Sequence, residues 1–185
     1  MHLLPQDLVV VLKIVANNDN RRWTYASLGA TLFMSASQVF RSVKRAEVGH
    51  LLNPLTVPPP PGSDERHRIR VWPNSTNLKE FLIHGVKYAF PVERGAPTRG
   101  LPTAEAASPL RQHFHEDFPL PPVWPYAEGP LRGIAFSPLY KNVPQAALRD
   151  TKLYELLALI DAIREGRARE REIAVRELTA RMNSV

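Results

Sequence analysis

The chain has 185 residues, 44% of them hydrophobic, with no cysteine and a formal net charge of +6. A core can form at that composition, disulfides and thiolate metal sites are excluded, and no run of about 18 apolar residues is present to span a membrane. Pro5, Gln6 and Asp7 interrupt the place where a secretory apolar segment would have to lie, so a cytoplasmic protein is expected.

The positive charge is uneven. Residues 1–72 hold 9 Lys and Arg against 5 Asp and Glu, whereas 73–150 hold 8 against 7 and 151–185 hold 7 against 6. Most of the excess therefore sits in residues 1–72, where a polyanion would be attracted and its counterions released.

In chain order, Pro5 suits the first position of a helix running to Asn17, and Leu8, Val11, Leu12 and Val15 recur on one face of it. Thr24 is a good N-cap for a second helix whose Leu28 and Leu32 point inward. Phe33 and Met34 make a turn. Ser35 then caps a third helix, with Gln38 three residues on as its capping-box partner. Taking Val39 as the buried direction, Val43 and Ala46 fall within about 40° of it, widened by Ala36 and Phe40, while Ser37, Arg41 and Lys44 point to the far side and Arg45 about 240° round. Gly49 is placed as the residue just past the helix end.

Leu51 to Val57 reads as a short strand cut by Pro54. A proline-rich tip follows, and residues 67–72 alternate, with Ile69 and Val71 on one face and Arg68, Arg70 and Trp72 on the other. Two short helices with a basic outward face, followed by a hairpin, predict a winged helix-turn-helix. Asn77 is expected to cap a fourth helix, Leu78 to about Phe90.

Residues 91–150 carry more than half of the chain's 18 prolines. They also keep apolar side chains from Leu101 through Trp124 to Tyr140 and predict an extended segment that packs on its own domain, a second subunit or another protein. From Thr151, Leu153, Leu156, Leu157, Ile160 and Ile163 form a helical stripe. After Gly166 the pattern resumes, so the C-terminal region is one helix weakened there or two hinged there.

The expected fold class is mainly α with a small β-wing: a DNA-binding domain over 1–90, the proline-rich segment over 91–150 and a helical dimerisation region over 151–185. The residues expected at the DNA are Thr24, Tyr25, Ser35, Ser37, Gln38, Arg41, Ser42, Lys44, Arg45, Arg66, His67, Arg68 and Arg70. Leu8, Leu12, Leu153, Leu156, Leu157, Ile160 and Ile163 are expected to join two copies, because readers of palindromic operators are dimers. His113 and His115, two apart in a loop before Glu116 and Asp117 and with no partner cluster elsewhere, make a weak metal signal, and solvated or structural polar residues are expected there. No catalytic motif is present, so neither an enzyme nor a cofactor is expected.

The run LGATLFMSASQVFRSVKRAEVGHLL resembles the core of bacterial winged-helix regulators of the broad MarR-like kind, on Leu28, Leu32, Met34, Ser35, Val39, Arg41, Val43, Gly49 and Leu51. The resemblance covers residues 5–72. It implies a nucleoid-associated transcriptional regulator of double-stranded DNA, with repression as the expected mode. Phe33 stands where the turn usually has glycine, and Gly29 where an inward alanine usually sits. The proline-rich segment supports a second reading, a DNA-binding antitoxin that holds a toxin-like partner protein through 91–150. A third has that segment closing a small-molecule effector pocket near Trp124 and Tyr126.

Overall fold

A computed structural model describes residues 2–17, 23–56, 67–114 and 119–183. Helix α1 (Pro5–Ala16) opens with proline, and the Leu4 amide donates to Asp7 Oδ2 at 2.7 Å. Every residue from Asp7 to Ala16 is buried, so α1 is the central rod of the fold and its apolar surface is not confined to one stripe.

Helix α2 (Tyr25–Leu32) is capped as its sequence predicts. Thr24 Oγ1 accepts from the Ser27 amide, and Ser27 Oγ accepts from the Thr24 amide. Helix α3 (Ala36–Val48) starts with the Ser35–Gln38 capping box, at 3.2 and 2.9 Å. Val39, Val43 and Ala46 are fully buried, but Ala36 and Phe40, expected to widen that stripe, are exposed. Ala36 is the first residue of the helix, at its open end, and Phe40 lies about 100° round from Val39, on the flank.

The two departures from the resembled pattern explain each other. Phe33 takes a left-handed backbone (φ 55°, ψ 41°), which tightens the α2–α3 turn. A Cβ on Gly29 would then sit 2.5 Å from the Met34 carbonyl oxygen, so the turn in this shape admits only glycine there. At the other end of α3, Gly49 has an ordinary φ of −78°. The left-handed residue is His50 (φ 55°), and the Leu51 and His50 amides close back on the Ala46 and Glu47 carbonyls.

Strands β1 (Leu52–Pro54) and β2 (Val71–Pro73) pair antiparallel, Asn53 opposite Trp72. Thr24 bridges Arg68, so the segment 67–73 is held by 23–25 on one side and by β1 on the other. Ile69 is buried and Trp72 half exposed, as the alternation predicts. A helical segment follows as α4 (Ser75–Glu80), a π-turn (Phe81–Gly85) and α5 (Val86–Ala89). Its cap is Asn74, whose side chain reaches the Asn77 amide; Asn77 instead donates to the His50 carbonyl.

Residues 91–150 are not an extended strap. Strands β3 (Arg94–Pro102), β4 (Pro122–Pro125) and β5 (Leu131–Phe136) close on one another: β3 pairs antiparallel with both others, and β4 runs parallel to β5. So tight a ring needs bare backbone at its crossings. A Cβ on Gly133 would collide with the Pro121 carbonyl, and one on Gly100 with that of Trp124. Helix α6 (Val143–Leu148) leads on to α7 (Thr151–Glu165), and α8 (Ala168–Asn183) turns back at Gly166 to lie antiparallel, with Arg181 bonding Glu155 at 3.1 Å. The terminal region is thus two helices.

The seven side chains expected at a dimer interface are core instead. Leu8, Leu12, Leu153, Leu156, Leu157, Ile160 and Ile163 are all at most 4% exposed, because α1 packs directly on α7 within one chain. One apolar cluster runs from Leu8 to Met182 and takes in Leu101, Trp124 and Phe136 of the strand region. Two buried polar links fasten it. Lys13 bonds Asp150 at 2.5 Å, tying α1 to the N-cap of α7. Asp161 accepts from Trp124, Thr103 and Arg164, whose guanidinium also reaches the Phe90, Pro91 and Ser137 carbonyls. Among the described residues, no helix is long and apolar enough to cross a membrane.

Candidate nucleic-acid interface

Because Val39, Val43 and Ala46 bind α3 to the core, the residues at about 140–200° from them form its outer ridge. Ser37, Arg41 and Lys44 are exposed there, and Val48 continues the ridge at 61% exposure. Arg41 touches its own helix through Nε to the Ser37 carbonyl at 3.3 Å, which leaves the rest of the guanidinium fork directed outward. Lys44 bonds Glu47 at 2.7 Å, and this hydrogen bond raises the ammonium above its usual value. The ammonium end of this pair is the exposed one, and the carboxylate is half-buried.

Two expected contacts are spent inside the protein. Arg45 grips Asp7 with two bonds of 2.6 and 2.7 Å, and Asp7 is wholly buried. Arg45 therefore anchors α3 to the start of α1 and does not face a groove. Ser42 is also wholly buried, since it lies only about 60° from the core direction. Ser35 and Gln38 are occupied by their capping box, and Gln38 Nε2 further reaches the Tyr140 hydroxyl at 3.4 Å.

The flank of α3 nearest α2 carries Tyr25 and Phe40, edge to face at 5.3 Å. Burial pushes the Tyr25 phenol up, so it is a neutral hydroxyl at pH 7. Thr24 holds Arg68 beside it, and the adjacent His67 is exposed. Arg70 follows on the same strand segment, half-buried, and Arg66 lies outside the described residues. The opposite flank comes from a part of the chain that sequence reasoning left unassigned. Asn142 Nδ2 donates to the Phe33 carbonyl at 2.7 Å, and the Arg149 guanidinium lies 4.3 Å over the Phe33 ring. No local signal marks these residues, because only the fold of 91–150 carries them to the turn.

The other expected sites separate. His113 lies 3.5 Å from Glu177, while His115, Glu116 and Asp117 lie outside the described residues, among which no metal-binding cluster occurs. Trp124 is 1% exposed and its indole donates to Asp161, so its ring belongs to the core, whereas Tyr126 is half-buried. Comparison with protein families, with characterised proteins and with solved structures gives no match.

Proposed function

We propose that the chain is a winged-helix reader of double-stranded DNA and a transcriptional regulator, acting by occlusion at a promoter. The observation that carries this reading is the ridge of α3: Ser37, Arg41 and Lys44 stand exposed on a helix whose opposite face is locked in the core. Such a helix fits the major groove. Arg41 would take a guanine edge or a phosphate, while exposed Ala36 and Phe40 offer apolar contacts to thymine methyl groups. Thr24, Tyr25, His67 and Arg68 would follow the backbone beside the groove, with β1 and β2 as the wing.

The antitoxin reading loses its motive. The apolar residues of 91–150 that suggested a partner surface, including Leu101, Leu110, Val123, Trp124 and Phe136, are buried in the chain's own core. No catalytic role is proposed.

The test is a gel-shift titration of Arg41→Ala combined with Lys44→Ala against the region upstream of the protein's own gene. Both side chains are exposed, so the fold should survive, and affinity should fall by about 1–3 kcal/mol for the arginine alone. Undiminished affinity at moderate salt would sink the assignment.

A further inference from the structure

We propose that residues 140–149 form a second phosphate-binding wall of this interface, with Lys141 and Arg149 on the DNA backbone beside the α2–α3 turn. This rests on the DNA reading above. Lys141 sits between two anchors: the Tyr140 hydroxyl accepts from Gln38 in the first turn of α3 at 3.4 Å, and Asn142 donates to the Phe33 carbonyl of the α2–α3 turn at 2.7 Å. Its backbone is therefore fixed near the N-terminal end of α3, while its side chain is exposed. Arg149 is exposed too, and stacking on the Phe33 ring holds its guanidinium over the turn without using its hydrogen-bond donors.

The charge around them favours an anion. Among the described residues, neither cation has an ion pair. The nearest carboxylate along the chain, Asp150, is committed to Lys13 and Asn17 at 2.5 and 2.8 Å and to capping α7. Glu47, the acid on α3, is tied to Lys44, on the side of the helix that meets Tyr25. The α3 ridge is thus walled by Tyr25, His67 and Arg68 on one side and by Tyr140, Lys141 and Arg149 on the other. A duplex seated on α3 would meet cations on both of its strands.

The unusual Phe33 acquires a use in this scheme. A glycine would relax the turn but would supply no platform for Arg149.

Fluorescence anisotropy with labelled short mixed-sequence and own-promoter duplexes tests this, on the full chain, over about 50–200 mM salt. Lys141→Ala with Arg149→Ala should lower the slope of log affinity against log salt by about 2, with roughly tenfold weaker binding per lost contact near 0.1 M. The loss should be equal for both duplexes, because phosphate contacts carry no sequence information. Arg41→Ala should instead narrow the gap between them. Melting temperatures check that the variants are folded, and Lys141→Glu alone, which leaves the Arg149–Phe33 contact in place, should weaken binding more than Lys141→Ala alone. If the wild type binds and Arg41→Ala weakens it, but the Lys141 and Arg149 variants keep the wild-type slope and affinity, the second wall is overturned and the DNA reading stands. If the wild type binds neither duplex, both fall.

Discussion

Arg45 and Arg41 are four residues apart on one helix and have opposite fates. Arg41 projects to solvent, whereas Arg45 turns back to a carboxylate with no exposure at all. Replacing Arg45 by alanine would strand the Asp7 charge, at a cost of about 3 kcal/mol or more. Chemical denaturation of Arg45→Ala should show that loss directly. An unchanged denaturation midpoint would mean that the Arg45–Asp7 pair does not hold α3 to α1. Loss of DNA binding in this variant would accordingly report on folding and not on recognition. His50 makes a converse case. It holds a left-handed backbone at the end of α3 without a glycine's freedom. His50→Gly should raise stability by up to about 1 kcal/mol, read as a higher melting temperature. A lower one would show that the imidazole contributes more than its strain costs.

Among the elements, α7 is fastened at its start by a single side chain. Asp150 caps it and receives Lys13 from α1. Burial alone would raise the Asp150 carboxyl, but the hydrogen bonds from Lys13, Asn17 and the Leu153 amide outweigh it and hold the group below the usual aspartate range. A carboxyl whose folded value is depressed stabilises the fold above its unfolded value, and that contribution disappears as pH falls below about 4. Melting temperature followed downward from about pH 6 should therefore fall more steeply for the wild type than for Asp150→Asn. Parallel curves would contradict the assignment. Capping chemistry was also what the sequence displayed best. Thr24 bonds Ser27, and Ser35 bonds Gln38, each only three positions along the chain, so local pattern suffices to read them. The strand region was illegible for the opposite reason. RGAPTRGLP and PVWP have no alternation and carry prolines, and they are strands only because they close on each other and on β5.

For the whole molecule, the apolar stripe of α7 was legible but its partner was not. Leu153, Leu156, Leu157, Ile160 and Ile163 had to be covered, and a periodic pattern cannot say whether the cover is a second copy or α1 of the same chain. The same packing carries residues 140–149 across to the α2–α3 turn, so a surface encoded late in the chain and one encoded near its start become a single face. The basic excess of residues 1–72 located only one side of it. The segment that follows α3 is thereby its scaffold and, on the reading proposed, part of its grip on DNA.

The most direct measurement of that reading is sequencing of genomic fragments retained by the purified full-length chain, set beside the Arg41→Ala protein. DNA recognition by α3 requires a short shared motif in the wild-type fragments that is weakened or degenerate with Arg41→Ala. Fragments that match the input library for both proteins would contradict it.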